Sequence, residues 1–247
     1  VYGGVKELVN AIFYYGTHIE KDYTSLRRVL QKNFLTLEYF GMKTQKRIYL
    51  DHAAGTPLDV RVYRAMKPFM EKDFGNPSTL YKEGLIARRA IENSRKLIAH
   101  GLSAHADEII FTGSGTEGNN LALMGVIDAF KVANPNVTPH IIVSEIEHPS
   151  IRGICQISKR ENISVTEVSV NSEGIVSVKE IQNALRKETI LVSVMYANNE
   201  IGTTEPIREI GKIIRLHRKK NANEHPYFHT DACQAVNYLD LHVDRLG

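Results

Sequence analysis

From Arg47 onward, short apolar runs of three to eight residues alternate with longer stretches whose apolar positions recur at helical spacing. The strand candidates are IYL at 48–50, EIIF at 108–111, HIIVS at 140–144, ISVTEVSV at 163–170, ILVSVM at 190–195 and PYFHT at 226–230. Between them lie helix candidates at 59–72, 78–101, 116–133, 148–161, 177–187 and 204–220. Regular β-α alternation predicts an α/β fold, a mostly parallel sheet with helices on both faces. In such sheets a ligand sits at the carboxyl ends of the strands. Residues 1–41 break the pattern: VKELVNAIFYY and SLRRVLQKNFLTLEYF read as two helices without a polar cluster. With Met42 a natural start, 1–41 is either a helical N-terminal extension or an upstream artefact, and 42–247 carries the α/β region.

Composition narrows the function classes. At 247 residues and 43% hydrophobic content the chain can bury a large core. Net charge is only +3 with the basic residues scattered, so nothing favours a nucleic-acid or membrane surface. The strongest basic run, RLHRKK at 215–220, reads as the C-terminal turn of a helix, where cations complement the macrodipole. Two cysteines, Cys155 and Cys233, cannot form a disulfide framework, which makes a reducing, cytoplasmic setting the expectation. No apolar run reaches the roughly 18 to 20 residues of a membrane span.

The chemistry lies in the loops after the strands. FTGSGTEGNN, 111–120, places Gly113, Gly115 and Gly118 in a G-x-G-x-x-G between an apolar run and a helix. Helix N-terminal amides there suit a phosphate, in a dinucleotide or in another ligand. The other strand ends arbitrate. HIIVS is followed by EIEHPS with His148 at a helix start; ILVSVM by YANNEIG with Asn198 and Asn199; PYFHT by DACQ with Asp231 and Gln234. Taken singly, these residues also fit a structural histidine, turn asparagines and a helix-capping carboxylate. Together they suit a planar, phosphorylated heteroaromatic: Gly115 and Thr116 for a phosphate, His148 for stacking, Asp231 for a ring N–H⁺, Asn199 and Gln234 for a ring oxygen. That inventory describes pyridoxal phosphate, whose electron-sink chemistry needs a protonated pyridine nitrogen.

IYLDHAAGTPLD, FGNPST, FTGSGTEGNN, SEIEHPSI, MYANNEIGTTEPI and HTDACQA, in this order and spacing, resemble the class V aminotransferase family of fold-type I pyridoxal-phosphate enzymes, in its cysteine desulfurase and selenocysteine lyase branch. The resemblance runs from about Arg47 to Gly247. It implies cofactor contacts from Gly115, Thr116, His148, Asn199, Asp231 and Gln234, with His148 also the candidate acid/base and Glu117 shaping the phosphate loop. It implies removal of sulfur from L-cysteine to give L-alanine and an enzyme persulfide. A homodimer and a sulfur-accepting protein, feeding iron–sulfur clusters or tRNA thiolation, are further implied.

The family's Schiff-base lysine and persulfide-forming cysteine are expected beyond Gly247, so 1–247 reads as a fragment holding an incomplete large domain and inactive alone. Cys155 and Cys233 read as packing residues rather than nucleophiles. Two rivals stand beside this reading: a selenocysteine lyase or other enzyme of the same fold, and a non-catalytic binding or scaffold chain.

Overall fold

A computed structural model describes residues 48–247. The two helices expected within 1–41 lie outside the described residues. Helices α1 (Val60–Glu71) and α2 (Lys82–Leu102) are followed by a 3₁₀ turn, Ala106–Glu108, and by α3 (Gly115–Ala133). Then come β1 (His140–Ser144), α4 (Pro149–Arg160), β2 (Ser164–Val168), α5 (Val178–Ala184), β3 (Thr189–Ser193), α6 (Ile207–Asn221), β4 (Tyr227–His229) and α7 (Val243–Leu246). All strand pairs are parallel, in the order β2-β1-β3-β4.

The central strands β1 and β3 are buried along their whole length. A parallel strand covered on both faces has no polar side to present, hence the uninterrupted apolar runs. On one face Ile141 and Val143 pack with Leu123 and Ile127 of α3 and Ile151 and Ile154 of α4. On the other, Ile142 and Val192 meet Ile181 of α5, Ile210 and Ile214 of α6, and Leu246 of α7. Helices therefore cover both faces, as the alternation requires. At the amino ends of the strands the buried His140 bridges Thr189 and Thr166, each at 2.8 Å. Burial, with Arg186 adding to it, lowers this imidazole to about 4, so it is a neutral core histidine.

Two expected strands do not form. Residues 48–50 make no strand, and EIIF at 108–111 divides between the 3₁₀ turn and an unpaired segment. Ile109 has extended backbone angles, φ −90° and ψ 122°. A strand is defined by its partner, however, and Ile110 and Phe111 stay 71% and 48% exposed with no neighbouring strand among the described residues. The helix expected from 78 begins at Lys82, because the FGNPST loop occupies its first turn: Thr79 Oγ1 and its N–H both donate to Asn76 O, at 2.7 and 3.1 Å.

This loop presses on α2 so closely that a Cβ at Gly84 would lie 2.6 Å from Asn76 O and 2.8 Å from Thr79 O. Gly84→Ala must displace backbone as well as the Thr79 hydroxyl, which stands closest to the added Cβ. A destabilisation of about 1–3 kcal/mol is expected, read as a lowered urea midpoint at unchanged slope; an unmoved midpoint would refute the contact.

Candidate functional site

The glycine loop is organised from within. Ser114 caps α3 by accepting the Glu117 N–H at 3.1 Å, while the Glu117 carboxylate turns back to accept the Gly113 N–H at 2.6 Å. The hydroxyl and carboxylate thereby satisfy two donors reciprocally, as in a capping box. Gly115 and Thr116 open the helix, where N–H groups lack intrahelical acceptors and the macrodipole is positive. A side chain at Gly115 would bring its Cβ within 3.0 Å of Cys233 Sγ, so glycine permits the close approach of this loop to the DACQ segment.

The remaining residues come from the carboxyl ends of β1, β3 and β4. After β1, His148 caps α4: its Nδ1 accepts the Ser150 N–H at 3.2 Å and lies 2.8 Å from Ser150 Oγ. Pro149 at the first helical position needs no N–H partner. After β3, the two asparagines divide the work. Asn198 is buried and structural, its Oδ1 accepting the N–H groups of Glu200 and Ile201 and its amide donating to Ile146 O at 3.1 Å. This turn closes at Gly202, whose φ of +74° lies in the left-handed region that favours glycine. After β4, the Tyr196 N–H donates to Asp231 O at 2.9 Å, extending the strand pairing far enough to fix the carboxylate.

Asp231 accepts from Asn119 Nδ2 at 2.9 Å through Oδ2 and from the Cys233 N–H at 3.0 Å through Oδ1. Burial alone would raise its pKa, but these donors, together with the Cys233 thiol and His229, outweigh it and the group is held below its ordinary value. It is a carboxylate at neutral pH. His229 is itself lowered to about 4 by burial, against the opposing pull of Asp231. Glu147 is buried, 3% exposed, between the ends of β1 and β3, and burial raises it to about 7 although Ser144 and the Met195 N–H both donate to it.

These elements enclose a cavity of about 220 Å³. Gly115, Thr116, His148, Asn199, Asp231 and Gln234 all line it. The Gln234 amide also donates to Ala53 O at 3.2 Å, joining the DHAAG segment to the rim.

Lining residues that the motif reading did not select are Asn119, Met195, Ala197, Ala53 and Cys233. Asn119 was within reach: it stands four and three residues after Gly115 and Thr116, on the same helix face. Cys155 is in the core, as expected. Cys233 corrects the packing assignment, being exposed and against the cavity. Its thiol is nevertheless pushed up to about 11 by partial desolvation, its hydrogen bond to Asp231 and that group's charge, which is the opposite of an activated nucleophile.

The family model of class V aminotransferases matches residues 48–247. The chain is 45% identical over 204 residues to the cysteine desulfurase IscS of Dictyoglomus turgidum, covering 82% of this chain and 49% of that protein. It is 42% identical over 202 residues to the cysteine desulfurase IscS of Methanosarcina thermophila, covering 82% and 47%. Among solved structures it is similar to SspA in complex with cysteine, with a TM-score of 0.74 and 36% identity over 81% of this chain and 55% of that one. A NifS-like protein gives a TM-score of 0.74 and 31% identity over 81% and 52%. The chain thus spans about half the length of the curated relatives it matches.

Proposed function

The chain belongs to the class V aminotransferase family, and from that premise we propose that it carries the pyridoxal-phosphate-binding part of a cysteine desulfurase acting on L-cysteine. The observation that supports this most is the convergence of Gly115, Thr116, His148, Asn199, Asp231 and Gln234 on one cavity. The donor set fits the cofactor. Helix-start amides and the Thr116 hydroxyl suit a phosphate dianion. Asp231, kept ionised by Asn119 and the Cys233 N–H, suits a protonated ring nitrogen in a charge-assisted hydrogen bond. The amides of Asn199 and Gln234 are donors for a ring oxygen, and the His148 imidazole supplies a flat face and a second nitrogen for proton movement.

When bound, pyridoxal phosphate supplies an electron sink that stabilises negative charge developing on an amino-acid substrate. The part of this chain is to bind and orient. Asp231 holds the ring-nitrogen proton, and the α3 N-terminus fixes the phosphate end. A dinucleotide, the other ligand suited to the glycine loop, is opposed by the size of the cavity, about 220 Å³, with Asn119 of the same helix already bonded to Asp231 across it.

Equilibrium dialysis of the purified protein against pyridoxal phosphate is expected to show saturable binding at one site, with no comparable uptake of NAD. Absence of binding by a folded sample would sink the cofactor reading. Sulfide release with formation of alanine from L-cysteine, assayed on the product of the complete reading frame, tests the substrate; selenide release alone from selenocysteine would assign the sister activity.

A further inference from the structure

Asn119 belongs to no part of the cofactor inventory drawn from the motifs, yet it is 6% exposed on the cavity wall and its amide nitrogen spans two groups on different strand ends. Nδ2 donates to Asp231 Oδ2 at 2.9 Å and to Ser150 Oγ at 3.0 Å. The Asp231 carboxylate can only accept, so the atom facing it must be the NH₂ nitrogen, and an NH₂ group has two protons to give. Ser150 Oγ accepts one of them. Its own proton is therefore free for the next atom in line, His148 Nδ1, at 2.8 Å. The Ser150 N–H points at the same nitrogen from 3.2 Å. With two donors directed at it, Nδ1 must present its lone pair, and the ring proton of the neutral imidazole resides on Nε2.

The geometry points to Asn119 as a positioning residue that, through Ser150, ties the carboxylate meant for the ring edge to the imidazole meant for the ring face and fixes the imidazole as its Nε2–H tautomer. This inference rests on the cofactor reading above. Two anchors on separate strand ends, Asp231 after β4 and His148 after β1, must hold a fixed mutual setting if one planar ligand is to satisfy both. α3 supplies an amide that reaches Asp231 directly and His148 through Ser150. A carboxylate at 119 could not donate to both, and an alkyl side chain could donate to neither.

The test is nitrogen NMR on the ¹⁵N-histidine-labelled protein without ligand, at a pH where His148 is neutral, with its signals identified by their loss in His148→Gln. In the wild type, Nδ1 is expected at the position of an unprotonated ring nitrogen and Nε2 at that of a protonated one. Ser150→Ala should move Nδ1 toward the tautomer average, and Ser150→Thr, which restores a hydroxyl, should return it. Asn119→Ala, which frees the Ser150 hydroxyl to turn, should move it part of the way and weaken pyridoxal phosphate binding by about tenfold.

A protonated Nδ1 in the wild type, or an unmoved Nδ1 in a Ser150→Ala protein with wild-type methyl spectrum, overturns the relay. Equal cofactor affinity in wild type and Asn119→Ala overturns the positioning role. A wild type that binds no pyridoxal phosphate overturns the cofactor reading itself, and is distinguished by the unliganded histidine spectra, which report the relay independently.

Discussion

Asp231→Ala is expected to weaken pyridoxal phosphate binding by about tenfold to a hundredfold, the equivalent of about 1.5–3 kcal/mol for a hydrogen bond to a charged group. The substitution also leaves Asn119 Nδ2 and the Cys233 N–H without the acceptor they now share, so part of the effect would come from loosening of the cavity wall. Asp231→Asn separates the two contributions. Its Oδ1 can still accept one donor and its shape is unchanged, but it carries no charge for a ring N–H⁺. Affinity measured by titration of cofactor absorbance should therefore fall in both variants, while the urea midpoint should fall further in the alanine variant. Full affinity in Asp231→Asn would remove the ion pair from the proposal, since among the described residues no other carboxylate lines the cavity.

The sheet was legible where burial is symmetrical. HIIVS and ILVSVM are apolar on both faces at their centres, with the few polar side chains hydrogen-bonded in the core, and both became central strands, the first at 140–144 as expected and the second at 189–193 rather than 190–195. EIIF carries the same signal and failed, because apolarity predicts burial but pairing requires a neighbour, and Ile110 remains 71% exposed. The site was legible for a different reason. Parallel strands all end on the same edge, so residues following β1, β3 and β4 are gathered by topology whatever the loops do in detail. What motif reading could not supply was the wiring between those residues. Asn119 sits in a helix and resembles any polar helix residue until the fold sets it between Asp231 and Ser150. EIEHPS holds two acids, and only the structure distinguishes Glu145, exposed and bonded to the Val170 N–H at 2.7 Å, from its buried neighbour Glu147.

That buried neighbour gives the folded protein an unusual dependence on pH. Glu147 Oε1 accepts from Ser144 Oγ at 2.5 Å and from the Met195 N–H at 2.7 Å, while Oε2 is buried without a hydrogen-bond partner of normal geometry and the nearby Ser193 hydroxyl favours the charged form least of the groups around it. An ionised carboxylate there is poorly solvated and faces the charge of Asp231, so the folded state prefers the acid, with a pKa raised from 4.5 to about 7. Between those two values the native protein holds more protons than the unfolded chain, and stability falls as pH rises across the window. The loss should total about 3 kcal/mol.

His140 and His229, both lowered to about 4, act in the opposite sense, costing stability as pH falls below 6.5. The raw pH profile therefore mixes the two effects, and the informative quantity is the difference between wild type and Glu147→Gln. Glutamine keeps the acceptor for Met195 and cannot ionise. Urea denaturation at pH 5 and pH 8 should show the variant's advantage growing by about 2.5 kcal/mol from the lower pH to the higher, the rest of the effect falling below pH 5. A constant difference across that range would mean that Glu147 is solvated well enough to ionise normally, and that the wall behind Asp231 is wetter than its burial indicates.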